Sequence, residues 1–371
     1  MVGNRQVFLV RRMSGGSGGA ERVAADFSSR LGNNWNLEKV FAGSVVKGVR
    51  LGGTQGPSWW RSIQFAKQVD KLIGKIEPDA VLSFDRGPYC DIYRAGDGVH
   101  RRWMQIKYGS SPRWILNPLN WAYPYLEKQS VRYGGVVVAN SEMVAQDLRQ
   151  TYPREKDKVL VIRNGFDPSR FHPEPVDFSL GFDLPRDARI FLFLGSGWER
   201  KGLKATIHFI AELSRNDPSF RDKGRLLVVG DGDPRPYLQE AARLGVAEKL
   251  IFSGVVTDPS NFCRVSELMV LPTSYDPFSN ATLEALACGC PVLTSAANGA
   301  AEVIDHGRTG LVFGDSKEKD ASVLAQEFLQ TSFDPRESIA ESVAGMTREA
   351  ELSRYEELLE DIVHAKEATG G

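Results

Sequence analysis

The apolar positions of the first half fall into short unbroken runs separated by stretches with helical spacing. Val7–Val10, Ala80–Ser83 and Val136–Ala139 read as buried parallel strands. Ile63, Ala66, Val69, Leu72, Ile73 and Ile76 recur every three or four positions, which predicts a helix over 63–76 that Pro78 stops. A glycine-rich turn, Ser14–Gly19, leads to a helix expected from about Ala20 to Leu31, and Ser141 is placed to cap a helix carrying Val144 and Leu148. The second half repeats the rhythm: Ile190–Leu194, Leu226–Val229, Leu250–Phe252, Leu268–Leu271 and Pro291–Thr294 are strand candidates with room for crossover helices between them. Such alternation predicts parallel sheets covered on both faces. With the polar, proline-bearing stretch Asp167–Pro185 as linker, the expected architecture is α/β, two doubly wound domains facing each other across a cleft.

The length of 371 residues agrees with two domains, and 42% hydrophobic with 25% charged residues excludes a disordered or collagen-like chain. No apolar stretch is long enough for a membrane span, and the first apolar run meets Arg11-Arg12, so no secretory signal is expected. Cys90, Cys263, Cys288 and Cys290 are too few and scattered for a disulfide framework. Cys288 and Cys290 fall in a segment that looks helical, and they read as small buried thiols of a cytoplasmic protein, not metal ligands.

The net charge of −1 conceals a division. Residues 1–172 carry 26 Lys and Arg against 15 Asp and Glu, whereas the rest carry 20 against 32. The basic half would favour an anionic polymer, an anionic lipid surface or a phosphorylated substrate. Its segment 100–133 interleaves Arg101, Arg102, Lys107, Arg113, Lys128 and Arg132 with Trp103, Tyr108, Trp114, Trp121, Tyr123, Tyr125 and Tyr133, against one acid, Glu127. Tryptophan and tyrosine favour the headgroup level and the cations an anionic surface, so the stretch could lie on a bilayer; nucleic acid could also use such a patch, and a buried interdomain surface would need neither.

Three glycine-rich turns follow strands, where bare backbone can approach a phosphate. Neither SGGSGGAER at 14–22 nor GDGDPR at 230–235 completes a dinucleotide fingerprint or a P-loop. The third, GSGWERKG at 195–202, sets Arg200 and Lys201 beside Gly202, a pair able to neutralise a diphosphate. Residues 275–294, YDPFSNATLEALACGCPVLT, then place Asp276 before a helix and Glu284 on it. Phe278, Ser279, Asn280 and Ala281 form the turn between them.

This segment resembles the E-x7-E motif of the retaining nucleotide-sugar glycosyltransferases of family 4, which have the GT-B fold of two Rossmann-like domains. Glu284 and GCPV at 289–292 match it, and Asp276 stands at the first acid, one methylene shorter. NSEMV at 140–144, VIRNGFDPSRF at 161–171, LLVVGDGD at 226–233, LIFSGVV at 250–256 and NGAAEVIDHGRTGLVF at 298–313 are similar to further family segments, in order, over nearly the whole chain. Where the family often has an arginine after the first glycine of the third turn, this chain has Ser196. DIYRAGDGVHRRW at 91–103 is similar to the acceptor-side segment of lipopolysaccharide core glucosyltransferases. That match puts Asp97 at the position of the acceptor-side acid; an aspartate between Gly96 and Gly98 also suits a plain turn, and His100 is a second candidate.

The resemblance implies transfer of a hexose, glucose from UDP-glucose by the nearest likeness, to a glycolipid or oligosaccharide hydroxyl with retention of configuration. Asp97, Arg200 and Lys201 would be catalytic. Gly18, Gly19, Asp276, Phe278, Ser279, Asn280, Ala281 and Glu284 would hold the donor, and Gly230, Ser253, Gly254, Val255 and Val256 would surround the base. No essential metal or other cofactor is expected: Asp231 and Asp233 are merely separated by Gly232 in a glycine turn, and no Asp-x-Asp metal pair is otherwise evident. The expected domains are 1–172, for the acceptor, and 173–345, for the nucleotide sugar, with a final helix over 346–371 returning to the first. Because the resembled family's glycolipid acceptors are assembled at the cytoplasmic membrane face, the resemblance implies an anionic membrane surface and no nucleic acid as partner of 100–133, and a cytoplasmic location, peripheral at the inner face of the membrane. A hydrolysing sugar-nucleotide epimerase of the same fold and a non-catalytic module for anionic glycolipid are the rival readings.

Overall fold

The structure is a computed structural model, and it describes residues 5–12, 26–27, 29, 35–52, 55–87, 89–174, 182, 184, 187–314 and 320–370. The glycine turn with Gly18 and Gly19, and most of the helix expected to follow it, lie outside the described residues. The chain forms two compact units, one of residues 1–163 with 349–371 and one of residues 164–348. The division thus falls at Arg163/Asn164, ahead of the polar linker stretch, and again at Arg348/Glu349.

In the first unit the strands are β1 (Gln6–Val10), β2 (Asn36–Val40), β5 (Ala80–Ser83), β6 (Ile92–Arg94), β7 (Val136–Ala139) and β8 (Val159–Val161). A two-residue hairpin pair, β3 (Val45–Val46) and β4 (Val49–Arg50), stands outside this sheet. The sheet order is β2-β1-β5-β6-β7-β8 and every pairing is parallel. Alternation decides what each face buries. Phe8, Val10, Val81, Val137 and Ala139 pack with Phe65, Val69 and Leu72 of α1 (Ser58–Ile76) and with Val144 and Leu148 of a helix beyond β7. Val7, Leu9, Ala80, Leu82, Ile92 and Val138 turn to the other face. There they meet Leu352, Tyr355, Leu359 and Val363 of the chain's final helix.

Helix α1 starts at Ser58, earlier than its apolar stripe suggests, because Pro57 has the extended backbone of an N-cap and Trp59 and Trp60 continue from it. It ends at Glu77, whose left-handed backbone precedes Pro78, a residue that disfavours α geometry before it. After β6 come α2 (His100–Tyr108), α3 (Leu119–Tyr133) and α4 (Glu142–Thr151). Ser141 caps α4, its Oγ accepting from the Val144 N–H. Strands β2 and β6 escape a search for apolar runs: β2 is a sheet edge carrying Asn36, Glu38 and Lys39, and β6 is three residues long with a buried arginine at its end; β8 is an apolar run, Val159-Leu160-Val161, that the expected strands did not include.

The second unit contains β9 (Arg189–Leu194), α5 (Trp198–Lys201), α6 (Leu203–Asn216), α7 (Pro218–Lys223), β10 (Gly224–Val229), α8 (Arg235–Leu244), β11 (Leu250–Gly254), α9 (Ser260–Val265), β12 (Leu268–Leu271), α10 (Asn280–Ala287), β13 (Val292–Ser295), β14 (Gly310–Phe313), α11 (Ala321–Gln330) and α12 (Arg336–Glu341). The last helix, α13 (Arg348–Gly370), is the one already seen covering the first unit's sheet. The second sheet has the order β11-β10-β9-β12-β13-β14, again parallel throughout. This is the doubly wound dinucleotide-fold order, with the winding reversing between β9 and β12. Both units are therefore Rossmann-like.

One local expectation is corrected. Cys288 and Cys290 are not within a helix: α10 ends at Ala287, Cys288 caps it, and Cys290 lies beyond Gly289 at the entry to β13. All four cysteines are reduced and buried. Burial pushes the Cys90 thiol well up, and the Cys290 thiol up to about 12. These are packing residues.

Candidate active site

In a doubly wound sheet, ligands bind beyond the carboxyl ends of the strands where the winding reverses. In the second unit that point lies between β9 and β12. The loop after β9 ends in α5, and its last residues, Arg200 and Lys201, precede α6 rather than starting it. The loop after β12 carries Asp276 and leads into α10.

Main-chain bonds fasten the two loops together. The Arg200 carbonyl accepts from the Ser274 N–H at 2.8 Å, the Ser274 Oγ at 3.0 Å and the Thr273 Oγ1 at 3.1 Å. The approach is so close that a Cβ on Gly202, at φ +85°, would stand 2.3 Å from the Pro272 carbonyl oxygen. So held, Lys201 Nζ donates to Asp276 Oδ2 at 3.0 Å, and Arg200 Nη1 donates to the same oxygen at 3.2 Å and to the Tyr275 carbonyl at 2.6 Å. Asp276 is 7% exposed. Burial pushes its carboxyl up, but Lys201 and Arg200 together outweigh that and hold it below the ordinary carboxylate range. The sequence placed these three residues in the site; their mutual pairing is what the fold adds.

Asn298 fixes the start of α10. Its Oδ1 accepts from the Ser279 and Ala300 N–H groups, at 3.2 and 3.0 Å, while its Nδ2 donates to Thr282 Oγ1 and Thr294 Oγ1, at 3.0 and 3.1 Å. Ser279 caps the helix, its Oγ accepting from Thr282 N–H. Phe278 is buried beneath this turn. The Asn280 and Ala281 N–H groups make no hydrogen bond within the described residues, as expected for the first turn of a helix. Asn280 Oδ1 accepts from Asn164 Nδ2 at 2.7 Å. Glu284 lies half-buried one turn further on. Sequence reasoning did not single out Asn298; its signal was an Asn-Gly following the β13 strand run.

The loops after β9, β10 and β11 are stacked. Gly195 N–H donates to the Val229 carbonyl and Gly230 N–H to the Gly254 carbonyl, both at 2.8 Å. Gly230 has φ +141°, and a Cβ there would lie 2.4 Å from the Gly195 oxygen, so only glycine fits. Ser196 Oγ accepts from the Asp231 N–H at 3.1 Å, giving this serine a loop-joining role at the family's arginine position. Ser253 and Gly254 end β11, Val255 is exposed and Val256 half-buried. Trp198 forms the floor, buried against Tyr237 and Phe252 and under Gly232.

In the first unit, Asp97 sits half-exposed in the turn after β6, with its Oδ2 3.4 Å from Arg86 Nη1. Arg86 also donates to the Gly98 carbonyl at 3.0 Å and, through Nε, to Glu127 Oε2 at 3.2 Å. Glu127 is fully buried and accepts as well from the His100 N–H at 3.0 Å and the Tyr152 hydroxyl at 2.8 Å. His100 turns away from Asp97 into packing: its Nε2 lies 3.1 Å from Asn120 Oδ1 and its ring meets Tyr123. Burial, then Arg86, lower its pKa to about 4, so the imidazole is neutral at physiological pH.

Helices α2 and α3 and the short turn at Pro112–Leu116 surround a cavity of about 510 Å³ whose lining includes Arg101, Met104, Trp114, Trp121, Tyr125 and Lys128. All six basic residues of 100–133 are exposed, and so are Ile115, Leu116, Trp121 and Tyr125. Tyr123 departs from the expected surface set, packing inward beneath the Arg86 guanidinium. Among the described residues no helix is long and apolar enough to cross a membrane, and no group of three or more His, Cys, Asp or Glu is placed to hold a metal.

Two doubly wound parallel units following one another in one chain are the layout of the GT-B fold. The family model described as Glycosyltransferase Family 4 matches residues 17–170, and that described as Glycosyl transferases group 1 matches residues 188–331. The chain belongs to the family 4 glycosyltransferases of GT-B fold, and within them it is close to the lipopolysaccharide core glucosyltransferases. It is 25% identical to the lipopolysaccharide glucosyltransferase WaaG of Escherichia coli, over 73% of this chain and 74% of that one. It is 29% identical to an uncharacterized glycosyltransferase of Methanocaldococcus jannaschii, over 47% of this chain and 46% of the relative. The matches to the first curated relatives span about half of those relatives' length. Among solved structures, WaaG superimposes with a TM-score of 0.75 at 22% identity, covering 98% of this chain and all of the other. Anabaena HepE, solved in complex with UDP-glucose, gives 0.70 at 19% identity, covering 96% and 99%.

Proposed function

We propose that the protein transfers a hexosyl group, glucose from UDP-glucose, to a hydroxyl of a glycolipid or oligosaccharide and retains the anomeric configuration. The observation that carries this reading is the Arg200–Lys201–Asp276 cluster at the switch point of the second sheet, beside the open N–H groups of α10. In the reaction the bond from the sugar C1 to the phosphate oxygen breaks, and its electron pair leaves on the diphosphate. Arg200 and Lys201 neutralise that charge, which preorganised donors do with little reorganisation. The acceptor oxygen bonds to C1 on the face the diphosphate left, and its proton passes to the departing phosphate oxygen. Glu284 holds the ribose diol and Asp276 a donor-sugar hydroxyl, since a carboxylate accepts two hydroxyls at once. The 253–256 backbone reads the base. Asp97 orients the acceptor hydroxyl.

The donor assignment draws support from the UDP-glucose bound to HepE, and the acceptor class from the kinship with WaaG. The leaving charge falls to two side chains, so the reaction is proposed to need no resident metal. The exposed cations and aromatics of 100–133 support docking on the anionic inner face of the cytoplasmic membrane, where each Lys or Arg contributes about 1 kcal/mol. The deciding experiment measures UDP release from UDP-glucose with and without oligosaccharide acceptors, and the anomeric configuration of the product. Acceptor-dependent release with an α-linked product in EDTA is the expected result. Inversion, acceptor-independent turnover to a free sugar, or strict metal dependence would overturn the reading.

A further inference from the structure

The carboxyl ends of β1, β5 and β6 in the first unit frame a second pocket, of about 100 Å³, whose lining includes Arg11, Arg12, Asp85, Arg86, Asp97 and Tyr123. Its charged groups are not equally engaged. Arg86 is committed to Glu127, Asp97 and the Gly98 carbonyl, with the Tyr123 ring against it. Arg11 donates to the Phe84 carbonyl and faces Asp85. One Asp85 oxygen is taken by the Arg12 main-chain N–H at 2.6 Å, and burial pushes that carboxyl up against the pull of Arg11 and, more weakly, of Arg12. The half-buried Arg12 guanidinium is attracted by Asp85 but makes no hydrogen bond or salt bridge with any described residue. A half-buried guanidinium with unmet donors is suited to an oxyanion, which it can grip through two parallel N–H bonds. On the same pocket wall Asp97 is half-exposed and touched on one oxygen only.

We propose that this pocket seats the acceptor and that Arg12 recognises an acidic substituent on the acceptor sugar, a phosphate monoester or a carboxylate, while Asp97 takes the hydroxyl that reacts. The inference rests on the glycosyl-transfer reading and narrows it to an anionic acceptor. Glu127 is the anchor of the arrangement: it fixes Arg86, which in turn contacts Asp97. The volume admits a charged group and one edge of a sugar ring, not several residues of an oligosaccharide.

The test titrates the protein, saturated with UDP so that Arg200 and Lys201 are occupied, with glucose, glucose 6-phosphate, glucuronate and inorganic phosphate, followed by NMR. At least one of the two charged sugars should bind tenfold or more tighter than glucose, the weight of a charge-assisted hydrogen bond, and which one does so distinguishes phosphate from carboxylate. Arg12→Gln should abolish most of that preference, and Arg12→Lys should keep part of it. Neither change should alter UDP affinity. Equal binding of glucose and its charged analogues, or a preference that survives Arg12→Gln, would overturn the inference. Inorganic phosphate binding as tightly as the sugar phosphate would also overturn it, because the pocket would then be a bare anion site. Failure of UDP to bind the unaltered protein is visible in the first step and would remove the donor reading itself.

Discussion

Lys201 Nζ and Asp276 Oδ2 meet at 3.0 Å across the point where the second sheet reverses its winding. The carboxylate serves as the counter-charge of the two cations. On the proposed reading, a diphosphate entering the site would compete with Asp276 for both. The pair therefore preorganises Arg200 and Lys201 and sets a cost on their release, so its removal affects stability and anion affinity in opposite directions.

Asp276→Asn should lower the melting temperature, since Lys201 is left largely buried without its counter-ion. It should also tighten binding of UDP or pyrophosphate several-fold while slowing turnover. Calorimetry and donor kinetics on one preparation check all three. Weaker UDP binding in a folded variant would contradict the competition.

Arg200→Ala with Lys201→Ala, and separately Glu284→Ala, should each cut donor turnover by about a hundredfold or more, the range for losing a transition-state donor or its positioning. Arg200 is a third exposed and Glu284 half-buried, so folding should survive. Steady-state kinetics on variants with normal circular dichroism are the measurement.

Gly202→Ala should damage fold and site together. Its φ of +85° and the Pro272 oxygen 2.3 Å from an added Cβ leave no room without parting the two loops. A loss of about 2 kcal/mol or more is expected from strain of this kind, with turnover reduced because Lys201 is the adjacent residue. Denaturant unfolding, alongside the kinetics, would show it.

The first unit should lose stability on mild acidification. His100 is neutral in the folded state, with its pKa lowered to about 4, whereas the unfolded chain takes up a proton at the ordinary 6.5. The contribution is complete above pH 6.5 and is lost as pH falls towards 4, of the order of 2 kcal/mol once partial solvent access is allowed for. His100→Gln should flatten that part of the pH profile, read by urea midpoints between pH 7 and 4. An unchanged slope in the variant would assign the effect elsewhere.

Sedimentation with vesicles should show binding that rises with anionic lipid content and weakens with salt. Replacing Arg101, Arg102 and Lys107 by glutamine should reduce it. All three side chains are exposed on α2.

The buried strands were legible because both their faces are covered. Leu268–Leu271 and Val136–Ala139 are fully or nearly fully buried and appear as unbroken apolar runs. An edge strand such as Asn36–Val40 has one neighbour, is partly exposed and carries no such run. The placement of Asp276 and Glu284 was legible because a local segment, 275–294, brings Asp276 to the start of α10 and Glu284 onto it. The Glu127–Arg86–Asp97 chain was not, because it joins residues up to 41 positions apart through one buried carboxylate. Glu127 stands in the sequence as the single acid of a basic stretch, where it reads as a surface charge; in the fold it is buried and Arg86 rests on it.

The helix that closes the chain, α13, has a consequence for how the protein is made. Leu352, Tyr355, Leu359 and Val363 cover a face of a sheet whose strands all lie before residue 164. During synthesis that face emerges early and waits, uncovered, while the whole second unit is translated. The second unit can fold as it leaves the ribosome; the first must hold its apolar strands in an incomplete state until α13 has been synthesised. A chain stopped before Leu352 would therefore yield an ordered second unit joined to an aggregation-prone first one.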